Sequence, residues 1–315
     1  MNRQQVRIGT RASKLALAQA GMMQRAIAAA LGAGPDEAEE AAPLIHITTS
    51  GDRIQDRRLM EVGGKGLFTK EIEEALLDGR IDCAIHSLKD MPAQLPPGLV
   101  IAAIPEREDP RDAFLSERFA SLDELPHGAR LGTASLRRQA QALHRRPDLQ
   151  IVMLRGNVDT RLAKLRAGEA DAILLAAAGL NRLGLGDLPR MLLDPVEAPP
   201  APGQGALAIE TRADDAGQAW LAALRHAPTA LAVAAERGAM LALEGSCRTA
   251  IGAHAVVTDG GLDLVVEALT PDGARRFRRQ GTAEASAGEA TARELGLKLG
   301  REIAEEGGEA LLAPI

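Results

Sequence analysis

A buried strand that ends in a polar turn is predicted by the sequence IDCAIHSLKDMP at positions 81–92, and the rest of the chain can be interpreted outward from it. Residues 81–85 form the predicted strand, and Pro92 prevents helical continuation and favours an extended backbone at Met91. The turn therefore places Lys89 and Asp90 at the carboxyl end of a strand, where open α/β sheets bind ligands. Two interpretations remain open at this point, an ionic binding site or an ordinary surface Lys–Asp pair.

Composition restricts the class of protein. The chain has 315 residues, enough for two or three domains, and its 46% hydrophobic and 25% charged content is typical of a soluble globular protein. It shows no signal-peptide core and no apolar run of about 18 residues, so we expect a cytoplasmic protein without membrane association. Cys83 and Cys247 lack metal-ligand spacing, so neither a metal nor a structural disulfide is expected. A net charge of −6 and 2% aromatic residues argue against a nucleic-acid partner.

An internal echo predicts two similar α/β domains. RIGTRAS at 7–13 and RLGTASL at 130–136 both show a strand, Gly-Thr and then a serine near a helix start. Strands are expected at 6–10, 44–49, 99–104, 149–154 and 172–176, and helices after Ser13 and at 135–146 and 157–167. Residues 50–60 are interpreted as a loop, followed by the glycine-rich VGGKGLF at 62–68, which is either a ligand-approach turn or a simple tight turn.

Cationic residues gather at the predicted strand–helix junctions. Basic side chains are locally unfavourable at helix N-termini, so a repeated pattern of this kind predicts bound anions that compensate them. The alternative is a set of solvated surface arginines. The residues are Arg11, Arg137, Arg138, Arg155, Arg161 and Arg182, with Asn157 as a predicted helix cap.

The remainder of the chain predicts a hinge and a third domain. The proline-rich PPAPGQG at 199–205 indicates a hinge, and a strand at 206–210 is expected to return to the first domain. A helix at 229–243, strands at 251–257, 262–269 and 275–280, and a helix at 286–305 predict a small α+β domain. The expected boundaries are 1–105 with 206–223, 106–205, and 224–315.

The two cysteines differ in context. Cys83 alternates within an apolar strand and is expected to be an inert buried thiol. Cys247 lies in a glycine-containing loop beside Arg248, a cation that would favour the thiolate. Cys247 is therefore either a reactive attachment point or an incidental loop cysteine.

Taken together, the motifs resemble those of the porphobilinogen deaminase (hydroxymethylbilane synthase) family, in the family's order and over nearly the whole chain. The departures from the family pattern are Ala134, Ser246 and Ala250. The matching segments are RASKLA (11–16), VGGKGLF (62–68), HSLKDMP (86–92), GTASLRRQ (132–139), LRGNV (154–158), TRL (160–162), GQG (203–205) and GSC (245–247).

The resemblance implies a three-domain α/β transferase of tetrapyrrole and heme biosynthesis. Its two larger domains would resemble periplasmic binding proteins and enclose a cleft with a hinge. The enzyme would join four porphobilinogen molecules head to tail with loss of ammonia and release hydroxymethylbilane by hydrolysis. It would act as a monomer and carry a dipyrromethane cofactor, thioether-linked to Cys247.

The resemblance also implies roles for individual residues. Asp90 would be the catalytic carboxylate. Cofactor-binding residues would be Cys247, Lys89, Thr133, Ser135, Arg137, Arg138 and Asn157. Substrate-binding residues would be Arg11, Ser13, Lys65, Phe68, Arg155, Arg161, Arg182 and Gln204. A different class of protein, a non-catalytic two-domain module that binds anions or dicarboxylates, remains the alternative.

Overall fold

The computed structural model describes residues 5–53, 69–243, 249–284, 286 and 288–311. The strands within these ranges are β1 (Ile8–Thr10), β2 (Leu44–His46), β3 (Cys83–Ser87), β4 (Leu99–Ala103), β5 (Asp112–Leu115), β6 (Arg130–Gly132), β7 (Gln150–Val152), β8 (Ala172–Ala176), β9 (Met191–Leu192), β10 (Leu207–Arg212), β11 (Ala250–Thr258), β12 (Gly261–Leu269) and β13 (Arg276–Ala283). The α-helices within them are α1 (Lys14–Ala30), α2 (Ala38–Ala41), α3 (Ser50–Arg53), α4 (Lys70–Leu77), α5 (Leu136–Arg145), α6 (Val158–Arg166), α7 (Ala177–Arg182), α8 (Ala219–Leu224), α9 (Ala227–Ala242) and α10 (Gly288–Gly307).

The described residues divide into two compact units. The first contains the residues up to 53 together with 69–108 and 206–230, and the second contains 109–205 and the described residues from 231 onward. No helix in the described part of the chain combines the length and apolar character that a membrane span needs.

The first unit is built on a five-stranded sheet with the order β2-β1-β3-β10-β4. β1 pairs in parallel with β2 and β3, whereas β10 runs antiparallel to β3 and β4. One apolar cluster joins Ile8 and Ile209 of the sheet to Ile27 of α1 and Trp220 of α8. A second cluster contains Ile72 and other residues of α4, so helices cover both faces.

The second unit repeats this plan in a sheet with the order β7-β6-β8-β5-β9. β6 pairs in parallel with β7 and β8, and β5 runs antiparallel to β8. The echo seen in the sequence has a matching ion pair in each sheet. The guanidinium of Arg7 lies 2.7 Å from the Asp82 carboxylate, and that of Arg130 lies 3.3 Å from the Asp171 carboxylate. Both aspartates precede the third parallel strand, so the two halves share their construction.

The second unit also contains the antiparallel sheet β11-β12-β13, packed against α9 and α10. The two helices approach so closely that a Cβ on Gly296 would lie 1.9 Å from the Ala235 carbonyl oxygen. The predicted fold class, two similar α/β sheets followed by a small α+β part, is therefore confirmed.

Several predicted boundaries were wrong. β3 begins at Cys83 rather than Ile81, and the strand expected at 44–49 ends at His46, because β1 offers it only three residues to pair with. A helical turn, α3, occupies the start of the expected loop at 50–60, and residues 54–60 lie outside the described ranges. Strands β5 and β9 were not predicted at all.

Residues 199–205, expected as a hinge, are hydrogen-bonded within the second unit. The carbonyl oxygen of Pro200 accepts from the amide of Ala253 at 2.9 Å. The amide of Gly203 donates to the buried carboxylate of Glu236 at 2.7 Å. The segment is thus tied to α9 and β11.

Candidate active site

The turn after β3 presents two polar residues on a buried apolar base. Leu88 and Met91 are buried, whereas Lys89 between them is half-buried and Asp90 is exposed. The amide of Leu88 donates to the Ala206 carbonyl oxygen at 3.0 Å, which ties the turn to the chain entering β10. The carboxylate of Asp90 is therefore held at the edge of the sheet and remains accessible to a ligand.

A buried polar cluster, which the sequence did not predict, lies behind this turn. The Nε2 atom of His86 on β3 lies 3.0 Å from a carboxylate oxygen of Glu210 on β10, and both side chains are buried. Glu73 of α4 is also buried, and burial, followed by the charge of Glu210, raises its pKa. The only signal in the sequence was a charged residue, Glu210, inside the otherwise apolar strand 206–210. Its position in the chain does not indicate that it contacts His86.

Three helix starts point toward the carboxyl ends of parallel strands. Ser13 caps α1 by accepting from the Ala16 amide, and Ser135 caps α5 by accepting from the Arg138 amide. Asn157 caps α6 by accepting from the Thr160 amide at 2.9 Å. The predicted cap at Asn157 is therefore confirmed, and the free amides of these helix ends are suited to anions.

Arg137 and Arg138, in the first turn of α5, converge on one internal carboxylate. Asp112, at the start of β5, is 1% exposed, and its two oxygens lie 2.7 Å from Arg137 Nη1 and Arg138 Nη2. Gln204 Nε2 donates to the same carboxylate at 2.9 Å. Burial alone would raise the pKa of Asp112, but the charges of the two arginines outweigh it and hold that pKa well below its usual range.

The two arginines differ in which guanidinium nitrogens remain available to donate a hydrogen bond to a ligand. Arg138 donates from Nε and Nη2 to Asp112 and from Nη1 to the Leu174 carbonyl oxygen, so all three of its nitrogens are engaged. Arg137 donates from Nη1, and its Nε is buried without a hydrogen-bond partner in the described part of the chain. Arg155, which follows β7, likewise has a buried Nη1 atom without a partner. Such buried donors are costly unless an anion or a polar ligand satisfies them.

The other predicted arginines lie near the same strand ends. Arg161 Nε donates to the Gly156 carbonyl oxygen at 2.9 Å, and Arg182 Nη2 donates to the Gly205 carbonyl oxygen at 2.7 Å. Because β6, β7 and β8 are parallel, Thr133, Arg155 and α7 all lie at one edge of the second sheet. Arg11 and Ser13 share the corresponding edge of the first sheet with Lys89 and Asp90, since β1 and β3 are parallel.

Three predicted site residues, Lys65, Phe68 and Cys247, lie outside the described residues. Cys83 is fully buried, and burial raises the pKa of its thiol, as expected of an unreactive cysteine.

Each of two family models covers a separate part of the chain. The first, porphobilinogen deaminase, dipyromethane cofactor binding domain, matches residues 6–219. The second, porphobilinogen deaminase, C-terminal domain, matches residues 230–305.

Similar proteins and structures were also found. The porphobilinogen deaminase of Caulobacter sp. (strain K31) is 71% identical over 315 residues, covering 99% of both chains. That of Caulobacter vibrioides (strain NA1000 / CB15N) is 70% identical over 315 residues, covering 98% of both. A solved structure, the L-cystine solute receptor of Neisseria gonorrhoeae, shares 15% identity at a TM-score of 0.38, covering 71% of this chain and 86% of the receptor. The two family matches and the near full-length relatives establish that the chain belongs to the porphobilinogen deaminase family.

Proposed function

We propose that the cationic sheet edges of this chain bind the carboxylates of porphobilinogen and its oligomers, and that Asp90 is the catalytic carboxylate. As a member of its family, the chain is a transferase that condenses four porphobilinogen molecules with loss of ammonia and releases hydroxymethylbilane. The residue assignment rests on the pair of buried donors, Arg137 Nε and Arg155 Nη1, which have no hydrogen-bond partner among the described residues.

The Nε donor of Arg137 suits the family's dipyrromethane cofactor, whose pyrroles carry acidic side chains. Arg137 would hold one such carboxylate, assisted by the free amides at the start of α5 and α6, and Lys89 is also proposed as a cofactor-binding residue. Thr133, Ser135, Arg138 and Asn157 would build the surrounding wall, and Cys247 would provide the thioether. When bound, the cofactor supplies the pyrrole carbon to which the first substrate is joined.

Asp90 would act on the charge that develops in the substrate. Cleavage of the C–N bond in the aminomethyl group of porphobilinogen releases the nitrogen as ammonia and leaves the methylene carbon on the ring, which gives an electrophilic azafulvene with positive charge on the pyrrole system. A carboxylate near the pyrrole nitrogen stabilises this charge and can accept a proton there. The buried Leu88 and Met91 on either side fix the Asp90 backbone, which reduces the reorganisation needed during reaction.

Substrate carboxylates would be bound by the remaining cations. An arginine fork binds a carboxylate through two parallel hydrogen bonds, which fixes orientation as well as charge. The proposed substrate-binding residues are the cations Arg11, Lys65, Arg155, Arg161 and Arg182, together with the neutral residues Ser13, Phe68 and Gln204. We further propose that the chain is a cytoplasmic monomer.

The intact mass of the purified, denatured chain, followed by peptide mapping, tests this proposal. We expect a mass increment of two linked pyrrole units on the Cys247 peptide and its loss in Cys247→Ser. Cys83→Ser is the matched control and should retain the increment. A chain that remains unmodified after exposure to porphobilinogen, and does not consume it, would favour a non-catalytic anion-binding protein.

A further inference from the structure

The helix that carries Arg137 and Arg138 is attached along one side to the third sheet. Gln139 Nε2 donates to the Pro271 carbonyl oxygen at 3.2 Å, and His144 Nδ1 lies 2.8 Å from the Gly273 carbonyl oxygen. Gly273 has a φ of +74°, and a Cβ there would lie 2.5 Å from the Ala140 carbonyl oxygen. The turn between β12 and β13 is therefore fitted closely to α5, and only glycine suits this position.

Gln141 lies at the centre of this contact and uses both ends of its amide. Its Oε1 accepts from Arg137 Nη1 at 2.9 Å, and its Nε2 donates to the Pro199 carbonyl oxygen at 2.8 Å and to Glu267 Oε1 at 2.7 Å. A cationic donor on one side and two acceptors on the other fix the orientation of the amide. Gln141 thus connects the guanidinium of Arg137 directly to β12.

Glu267 provides a rigid anchor on the third sheet. Its side chain has no exposed surface, and its second oxygen accepts from Arg276 Nε on β13 at 2.7 Å. The hydrogen bonds therefore run without interruption from Asp112 through Arg137, Gln141 and Glu267 to Arg276. Buried charges joined in this way hold one another in a single arrangement.

This chain of contacts links Arg137, which would bind a carboxylate of the attached ligand, to the sheet that follows the attachment residue Cys247 in the sequence. Cys247 precedes the first residue of β11, Ala250, by three positions in the sequence. β11 pairs with β12 along its whole length, so the sheet that follows the cysteine also carries Glu267. The unpartnered Nε of Arg137 lies on the same guanidinium that Gln141 holds.

We propose that Gln141 and Glu267 are positioning residues that hold the guanidinium of Arg137 in register with the β11-β12-β13 sheet. The attached dipyrromethane is thereby presented in one fixed orientation for elongation. The inference rests on the proposed function, in which Arg137 binds a cofactor carboxylate. Neither residue needs to touch the substrate, because both act through Arg137.

Paired substitutions test this arrangement. Gln141→Leu removes the acceptor for Arg137 and the donor for Glu267, and Gln141→Glu preserves shape but faces the Glu267 carboxylate. Both should lower kcat per cofactor-loaded chain about tenfold or more with KM for porphobilinogen within about twofold, since the incoming substrate is bound elsewhere. The loaded fraction, measured as intact mass, should also fall. Gln24→Leu is the matched control, because Gln24 lies on α1 in the first unit and its side chain also makes two hydrogen bonds.

A charge-exchanged pair separates positioning from simple stability. Glu267→Gln alone should impair kcat, whereas Gln141→Glu combined with Glu267→Gln restores a donor–acceptor pair and should recover kcat to within about threefold of wild type. Unchanged kcat per loaded chain in Gln141→Leu, or a double variant no better than the worse single variant, would overturn the proposal. A wild-type chain that carries no pyrrole increment would instead refute the proposed function.

Discussion

Replacing Asp112 with Asn should destabilise the second unit more than any exposed charge substitution. The carboxylate lies within 2.7 Å of both Arg137 and Arg138, and also accepts from Gln204. An asparagine of the same shape removes the negative charge while both guanidinium groups remain buried. Breaking a buried ion pair by neutralising one partner costs about 3–5 kcal/mol.

This cost converts into a large shift of the melting temperature. For a unit of about 150–250 residues, each kcal/mol changes Tm by about 2–4 °C, so Asp112→Asn should lower Tm by about 6–20 °C. Calorimetry of the purified chain, with circular dichroism to confirm native secondary structure at low temperature, measures the shift. Asp123→Asn is the matched control, because Asp123 and its partner Arg145 are both more than half exposed. An exposed pair contributes at most about 1 kcal/mol.

The pH dependence provides a second test of the same contact. The folded-state pKa of Asp112 is depressed by the two arginines, so its stabilisation is complete above the unfolded pKa of about 3.9 and decreases as pH falls below it. The difference in Tm between wild type and Asp112→Asn should therefore decrease progressively as the pH falls below about 4. A Tm difference no larger than that of Asp123→Asn, or one that is unchanged between neutral and acidic pH, would refute the reasoning.

Three other substitutions test the first unit and the ligand-binding cations. Asp90→Asn should lower kcat at least about a hundredfold with unchanged Tm, because the side chain is exposed and acts on developing charge; near-normal turnover would remove Asp90 from the mechanism. Arg155→Gln should raise KM for porphobilinogen about tenfold, measured in steady-state assays, because a donor to a substrate carboxylate is lost; an unchanged KM would argue against that contact. Glu73→Gln should stabilise the chain at pH 8, because the raised pKa of Glu73 means that folded-state stability is lost as pH rises from about 4.3 through the folded pKa. The urea midpoint of Glu73→Gln, relative to that of wild type, should therefore rise between pH 5 and pH 8. A difference that does not depend on pH would contradict a raised pKa of Glu73.

Features set by local chemistry could be predicted from the sequence. The helix start after Ser13 and the cap at Asn157 could be predicted because both side chains bond to amides only three residues further on. The repeated strand–Gly-Thr–helix pattern identified the two similar sheets for the same reason. The polar turn after the strand at 81–85 was predicted from its polar residues and from Pro92, which prevents helical continuation. Short-range geometry determines all of these features, so a single segment contains the necessary information.

Pairings between distant segments could not be predicted in this way. β5 has four residues, and its neighbours β8 and β9 lie roughly sixty to eighty positions further along the chain, so no local period marks it. Asp112 at its start therefore gave no sign of a partnership with Arg137 and Arg138. The contact between His86 and Glu210 has the same origin, because it forms across β3 and β10 over a separation of 124 residues.

Asp112 supplies an internal counterion at the helix start whose cations suggested an anion site. Cations at a helix start without a visible counterion predicted a bound anion, yet the protein itself supplies one carboxylate for two guanidinium groups. These three side chains together carry a net charge of +1, and the two arginines differ in their hydrogen bonds. Arg138 has all three nitrogens engaged, whereas Arg137 retains a buried Nε without a partner. Asp112 thus anchors both guanidinium groups. In the proposed function, the remaining Nε of Arg137 is the donor that a ligand carboxylate would accept from, so the ligand would not need to compete with Asp112.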